Sequence, residues 1–256
     1  MRVLNHAFDQ PMESEEQAAM PLAGGLLQHG YQCGMLWGST LAAGAQAYRL
    51  LGPGPRAEIG AIISAQRLVK TFRALNKHVN CIEITGIDKS SSSRQMFTYF
   101  FIKGGTISCM RMAVRYAKAA FNEIDTALSK EHIEAPSVPV SCSAMLAQKM
   151  GVSDMHTAMA AGFAGGIGLS GGACGALGAA IWITGMNSIK EGASKLDFMH
   201  PKATDAIGRF IKCTGYEFEC SKIVGRQFED INDHAAYLRN GGCSQIIEAL
   251  SLMQKP

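Results

Sequence analysis

Thiols are the side chains of this chain best suited to chemistry. Eight occur, Cys33, Cys81, Cys109, Cys142, Cys174, Cys213, Cys220 and Cys243. A thiolate binds metal, exchanges with disulfides or attacks as a nucleophile. In a reducing compartment so many cysteines point to metal binding or redox chemistry rather than to structural disulfides. The competing reading makes several of them small buried hydrophobes. Residues Met1 to Met20 carry one Arg followed by Asp9, Glu13, Glu15 and Glu16, with no apolar run of signal-peptide length. That pattern leads us to expect a cytoplasmic chain.

The cysteines fall into a repeated unit. Gly24-Gly25 lies eight residues before Cys33 and Gly165-Gly166 eight before Cys174, and each of these cysteines is followed by Gly (Gly34, Gly175) and an Ala-rich run. Cys81 is followed by Ile84 and Gly86, and Cys220 by Ile223 and Gly225, at the same offsets. Gly104-Gly105 precedes Cys109 and Gly241-Gly242 precedes Cys243. The spacings are 48 and 28 residues in the first half, 46 and 23 in the second. Cys142 opens a helical stretch ahead of the second unit and has no counterpart ahead of the first.

One Cys opening a helix, a Gly-Gly turn before Cys-Gly-Ala-x-x-Gly, and two further single cysteines form a pattern that resembles the C_GCAxxG_C_C family of redox-active proteins. It is also similar to the N-terminal part of split-Soret cytochromes c. The resemblance covers residues 138 to 250 well and residues 18 to 115 more weakly. Cys174-Gly175-Ala176 matches, but the closing Gly178 comes one residue early, with Ala179 in its place. In the first half Met35 replaces the alanine. The resemblance implies redox activity and a four-cysteine site at Cys142, Cys174, Cys220 and Cys243. It leaves Cys33, Cys81 and Cys109 as an incomplete second set, for which His6 and His29 are candidate substitutes. No Cys-x-x-Cys-His occurs, so covalent haem is not implied.

Four separated thiolates could bind a [2Fe-2S] or [4Fe-4S] cluster, bind zinc, or form two reversible disulfides. The absence of Cys-x-x-Cys pairs ranks zinc last and weakens dithiol exchange slightly. Our expectation is an iron-sulfur cluster used in electron transfer. The alternative is a thiol-disulfide or metal-handling protein in which Cys174 is the low-pKa nucleophile. A helix N-terminus favours thiolate, and Gly171, Gly172, Gly175, Gly241 and Gly242 could let backbone N–H groups approach a cofactor's sulfurs. The same glycines would equally serve close helix packing.

The elements that position these residues read as helices. Apolar residues recur at helical intervals over Ala61 to Asn76, Met110 to Leu128, Ala144 to Met150, Ala203 to Lys212 and Ser244 to Met253, and no alternating strand stands out. The Ser-rich run Asp88 to Arg94 reads as a connection. We expect an all-α protein of two pseudo-repeated helical domains, 1–134 and 135–256, divided at Glu134 to Pro139, where two prolines forbid a continuous helix.

Hydrophobic residues make up 47% of the 256 and charged residues 18%. That much apolar sequence suggests a homodimer, in which the incomplete half could borrow a ligand across the interface. A net charge of +3, with basic residues scattered, gives no footprint for nucleic acid. Gln17 to Tyr48 and Thr157 to Ile189 are uncharged enough to raise the question of a membrane span, but glycines interrupt both and argue against one. Gly162 to Gly172 lacks the Lys-Ser/Thr of a phosphate loop. Trp37 and Trp182 read as core anchors, and Cys213 as a packing residue.

Overall fold

The computed structural model describes residues 1–129, 139–193, 196–198 and 200–252. The expected divide at Glu134 to Pro139 falls almost entirely outside the described residues. Helices α1 (Arg2–Ala7), α2 (Glu13–Ala18), α3 (Gly34–Leu51), α4 (Pro55–Asn76), α5 (Cys81–Thr85), α6 (Ser93–Phe97) and α7 (Gly105–Leu128) form the first unit. The second consists of α8 (Cys142–Lys149), α9 (Asp154–Ala161), α10 (Gly175–Lys190), α11 (Pro201–Cys213), α12 (Cys220–Val224), α13 (Ile231–Arg239) and α14 (Ser244–Ser251). Among the described residues the extended pairing is limited to two isolated bridges, Gln32 with Asn80 and Ala173 with Glu219. The all-α expectation holds, with two repeated helical halves.

Local chemistry sets the boundaries. Ser141, Ser153 and Asp230 accept hydrogen bonds from the N–H groups of Ala144, His156 and Asp233 and so start α8, α9 and α13. Ser92 and Gln95 form a capping box, so the expected Ser-rich connection closes into α6 at its end. Gly52, at φ +74°, ends α3, and Pro55 opens α4.

The halves interlock rather than sit apart. α3 packs on α9 at Gly44, where a Cβ would strike Ala158 and Met159, and α10 packs on α2 at Gly185, against Ala18. These contacts are reciprocal, as an internal two-fold relation requires. Gly178, the glycine that comes one residue early in the motif, accommodates the ring of Trp37. Gln32 crosses the same seam, donating to the Gly166 carbonyl at 3.0 Å and accepting from the Ala173 N–H at 2.9 Å. Both tryptophans are fully buried, and their indole N–H groups bond to the Gln32 and Glu15 carbonyls. Much of the apolar sequence behind the homodimer expectation is thus buried between the two halves. No helix among the described residues is long and apolar enough to cross a membrane.

Candidate functional site

In each half a bridge aligns two cysteine-bearing segments. Cys174 N–H donates to the Phe218 carbonyl (2.8 Å) and Cys220 N–H to the Gly172 carbonyl (2.7 Å), on either side of the Ala173–Glu219 bridge. Cys33 and Cys81 repeat this with Val79 (2.8 Å) and Tyr31 (2.6 Å) around Gln32–Asn80. The glycine turns that the sequence places near these cysteines make the approach feasible. A Cβ on Gly172 would collide with the Gln32 side chain, one on Gly175 with the Phe163 carbonyl, and one on Gly171 (φ +77°) with Ser221. These three glycines therefore have a packing role. Gly242 lies flat against the Tyr237 ring, while Gly241 faces open space at φ +84°.

The second half brings all four expected cysteines to helix N-termini. Cys142 and Cys220 are the first residues of α8 and α12, and Cys174 and Cys243 are the N-cap residues of α10 and α14. Four helix dipoles thus turn positive ends toward the thiols. Cys243 adopts φ +62°, a left-handed conformation costly for a side chain of its kind. Ser141 and Ser143 fasten the start of α8 by donating to the Ala161 and Ala160 carbonyls, at 2.9 and 2.8 Å. Cys142 and Cys220 share an apolar shell with Ile62, Leu169 and Phe228, and Cys142, Cys174 and Cys220 are buried.

Burial outweighs the helix ends for three of the four. It pushes the Cys174 thiol up to about 12, with the Cys142 charge adding to the rise and the Leu177 and Ala176 N–H groups opposing it. Cys220 and Cys243 are raised still further, first by burial and then by the neighbouring cysteines. Those mutual effects group the four thiols electrostatically.

Cys142 is the exception. Burial raises it, but the neighbouring His234 imidazole, aided by the Gly165 and Ser143 N–H groups, brings the thiol below its ordinary value. His234 Nδ1 donates to the Val140 carbonyl at 3.0 Å, so Nε2 is the atom left for the thiol. Nε2 is buried and forms no hydrogen bond in the structure. Burial lowers the imidazole, but the Cys142 interaction wins and raises it. In the dithiol reading, the nucleophile therefore moves from Cys174 to Cys142.

The first half differs. Cys33 is the N-cap of α3 and Cys81 the first residue of α5, but Cys109 lies one turn inside α7, four residues past Gly105 instead of directly after the glycine pair. Met1 stands at the Cys142 position of the repeat. Burial pushes Cys33 up to about 12, and Cys81 and Cys109 contribute to that rise. Tyr99, in the π-helical turn Thr98–Ile102, packs on Gly105, as Tyr237 packs on Gly242. Neither candidate substitute joins the set. His6 is exposed on α1, and His29 stacks on Phe218 at 5.0 Å.

Sequence reasoning missed His234, Tyr237 and Tyr99. The tyrosines carry a legible signal, each preceding its glycine pair by a few residues. His234 carries none in the repeat, because the residue three before Tyr99 is Met96. Cys213, at the end of α11, donates its Sγ–H to the Phe210 carbonyl at 3.1 Å and packs against the main core.

Among the described residues, no three His, Cys, Asp or Glu side chains are arranged to hold a metal ion. An iron-sulfur cluster spreads its thiolates over several irons. The donor set here, four thiols at four helix starts, is of the ligand type that such a cluster uses.

A family model described as putative redox-active protein (C_GCAxxG_C_C) matches residues 1–122 and 140–255. No curated protein and no solved structure matches the chain.

Proposed function

This chain belongs to the C_GCAxxG_C_C family of redox-active proteins and carries the family unit twice, and on that premise we propose that its second half holds an iron-sulfur cluster and transfers electrons. The observation that carries the reading is the gathering of Cys142, Cys174, Cys220 and Cys243 at four helix N-termini. When bound, such a cluster supplies one-electron chemistry at a potential set by its charge, hydrogen bonds and burial. The chain's own part is electrostatic. Four thiolates in an apolar shell carry a charge that burial alone disfavours. Helix ends, the Gly165 and Ser143 N–H groups and His234 compensate it. Phe228, edge-on to His234 at 4.7 Å, shields that side from water. A homodimer and a separate redox partner protein belong to the same proposal.

The test is an absorption spectrum from 300 to 700 nm with iron and sulfide analysis on anaerobically purified protein. Broad bands with matching iron and sulfide are expected. A folded but colourless, iron-free protein would overturn the reading. It would favour reversible disulfide chemistry started by Cys142, the reading supported by its pairing with His234.

A further inference from the structure

Beside the incomplete first-half cysteines lies a groove of about 890 Å³, walled by the end of α4, by α5 and by the start of α7. Cys81 and Cys109 belong to two of those helices, α5 and α7, without lining the groove themselves. Four cations line it, Lys77, Lys103, Arg111 and Arg115. Among the described residues none of them pairs with a carboxylate. Arg115 is held by neutral acceptors, the Leu75 carbonyl and Asn76 Oδ1, both at 2.9 Å. The acid in the groove, Glu83, is already engaged by His78 at 3.4 Å and by the Asn80 N–H. Gly104, the N-cap of the 24-residue α7, also lines the groove, so unpaired first-turn N–H groups and the positive end of a long helix face the same space.

The second half supplies a control within the molecule. Counting from the paired cysteines and glycine turns, Lys77 and His78 correspond to Tyr216 and Glu217, and Lys103, Arg111 and Arg115 to Asn240, Glu248 and Leu252. The positive charge belongs to the groove and not to the repeat. Unneutralised cations gathered in a concavity, with a helix end among them, select anions. The apolar Ile84, Ile107 and Met112 give the groove a floor for a carbon skeleton.

We propose that the groove between α4, α5 and α7 binds a small organic anion bearing two or more phosphate or carboxylate groups. The proposal goes beyond the cluster reading and stands independently of it. It is tested by calorimetric titration of the full chain, at low ionic strength, with inorganic pyrophosphate and separately with citrate. Saturable binding of either is expected, weakened about tenfold or more by Lys103→Gln or Arg111→Gln. It should be unaffected by Lys202→Gln, an exposed α11 cation already paired with Glu191. Pyrophosphate alone would assign a phosphate-bearing ligand, citrate alone a carboxylate-bearing one. Retained binding in Cys174→Ser would keep this result separate from the cluster's fate. Failure of both probes, equal weakening by Lys202→Gln, or binding only of a polyglutamate peptide would overturn the proposal.

Discussion

The two cysteine groups share a backbone plan and differ in what surrounds it. Both align two cysteines across one isolated bridge and set a tyrosine against a glycine turn. In the second half the third cysteine caps α14 and a fourth opens α8, so all four thiols meet helix ends, and Cys142 and Cys220 share an apolar shell. In the first half the third cysteine lies a turn inside α7, the fourth is missing, and the flank opens into a basic groove. The difference teaches that the bridge and glycine turns make the scaffold, while the α8 cysteine and His234 set one copy apart from the other.

Equivalent glycines probe the scaffold most strongly. Gly175→Ala pushes a methyl into the Phe163 carbonyl, whereas Gly34→Ala meets the Ala23 Cα at 2.8 Å. Gly175→Ala should cost about 3 kcal/mol or more and Gly34→Ala distinctly less, as denaturant unfolding would measure. Equal costs would mean the two turns are not packed as described.

The first-turn acids of α4 and the early part of α11 differ almost as much. Glu58 is buried and burial raises its carboxyl to about 7, while Asp205 is exposed and pairs with Arg209 at 2.8 Å. A carboxyl raised in the folded state contributes stability that is complete below its ordinary value of 4.5 and lost as pH rises through about 7. Glu58→Gln should therefore gain on wild type by up to about 3 kcal/mol at pH 8 and little at pH 4. A constant difference between pH 4 and 8 would contradict this.

Gly241→Ala offers a milder contrast. It meets no neighbour but sits at φ +84°, so it should lose about 1 kcal/mol through backbone strain alone. A shift in thermal midpoint as large as that of Gly175→Ala would show that Gly241 is packed after all.

The smallest signal comes from one thiol among eight. In metal-free protein followed by absorbance at 240 nm through a pH titration, a thiolate should form at Cys142 below the ordinary thiol range, a phase that disappears in Cys142→Ser and moves to higher pH in His234→Gln. A phase left unchanged by both substitutions would place the thiolate elsewhere and break the contrast between the halves.

Much of this was legible in the sequence because it depends on local spacing. Cysteine and glycine offsets revealed the repeat, and apolar periodicity marked α4, α7 and α11, but Pro55 starts α4 and Gly105 starts α7 more than a turn before the periodic residues begin. The interlocking of the halves was not legible, since Gly44 and Gly185 look like ordinary helix glycines until their partners, α9 and α2, are known. His234 stayed hidden because the Val140 carbonyl that orients it and the Cys142 thiol it serves lie far away along the chain. Charge state was also out of reach. Helix-start position alone suggested lowered thiols at Cys174 and its neighbours, and burial reverses that for every member except the one with an imidazole partner.

The central claim is that the second half holds the redox centre and the first does not. The most direct measurement is iron and sulfide per chain in Cys174→Ser against Cys33→Ser, equivalent N-cap positions of α10 and α3. The account predicts that Cys174→Ser loses the bound iron while Cys33→Ser keeps the wild-type content. Equal loss in both, or loss in Cys33→Ser alone, would contradict it.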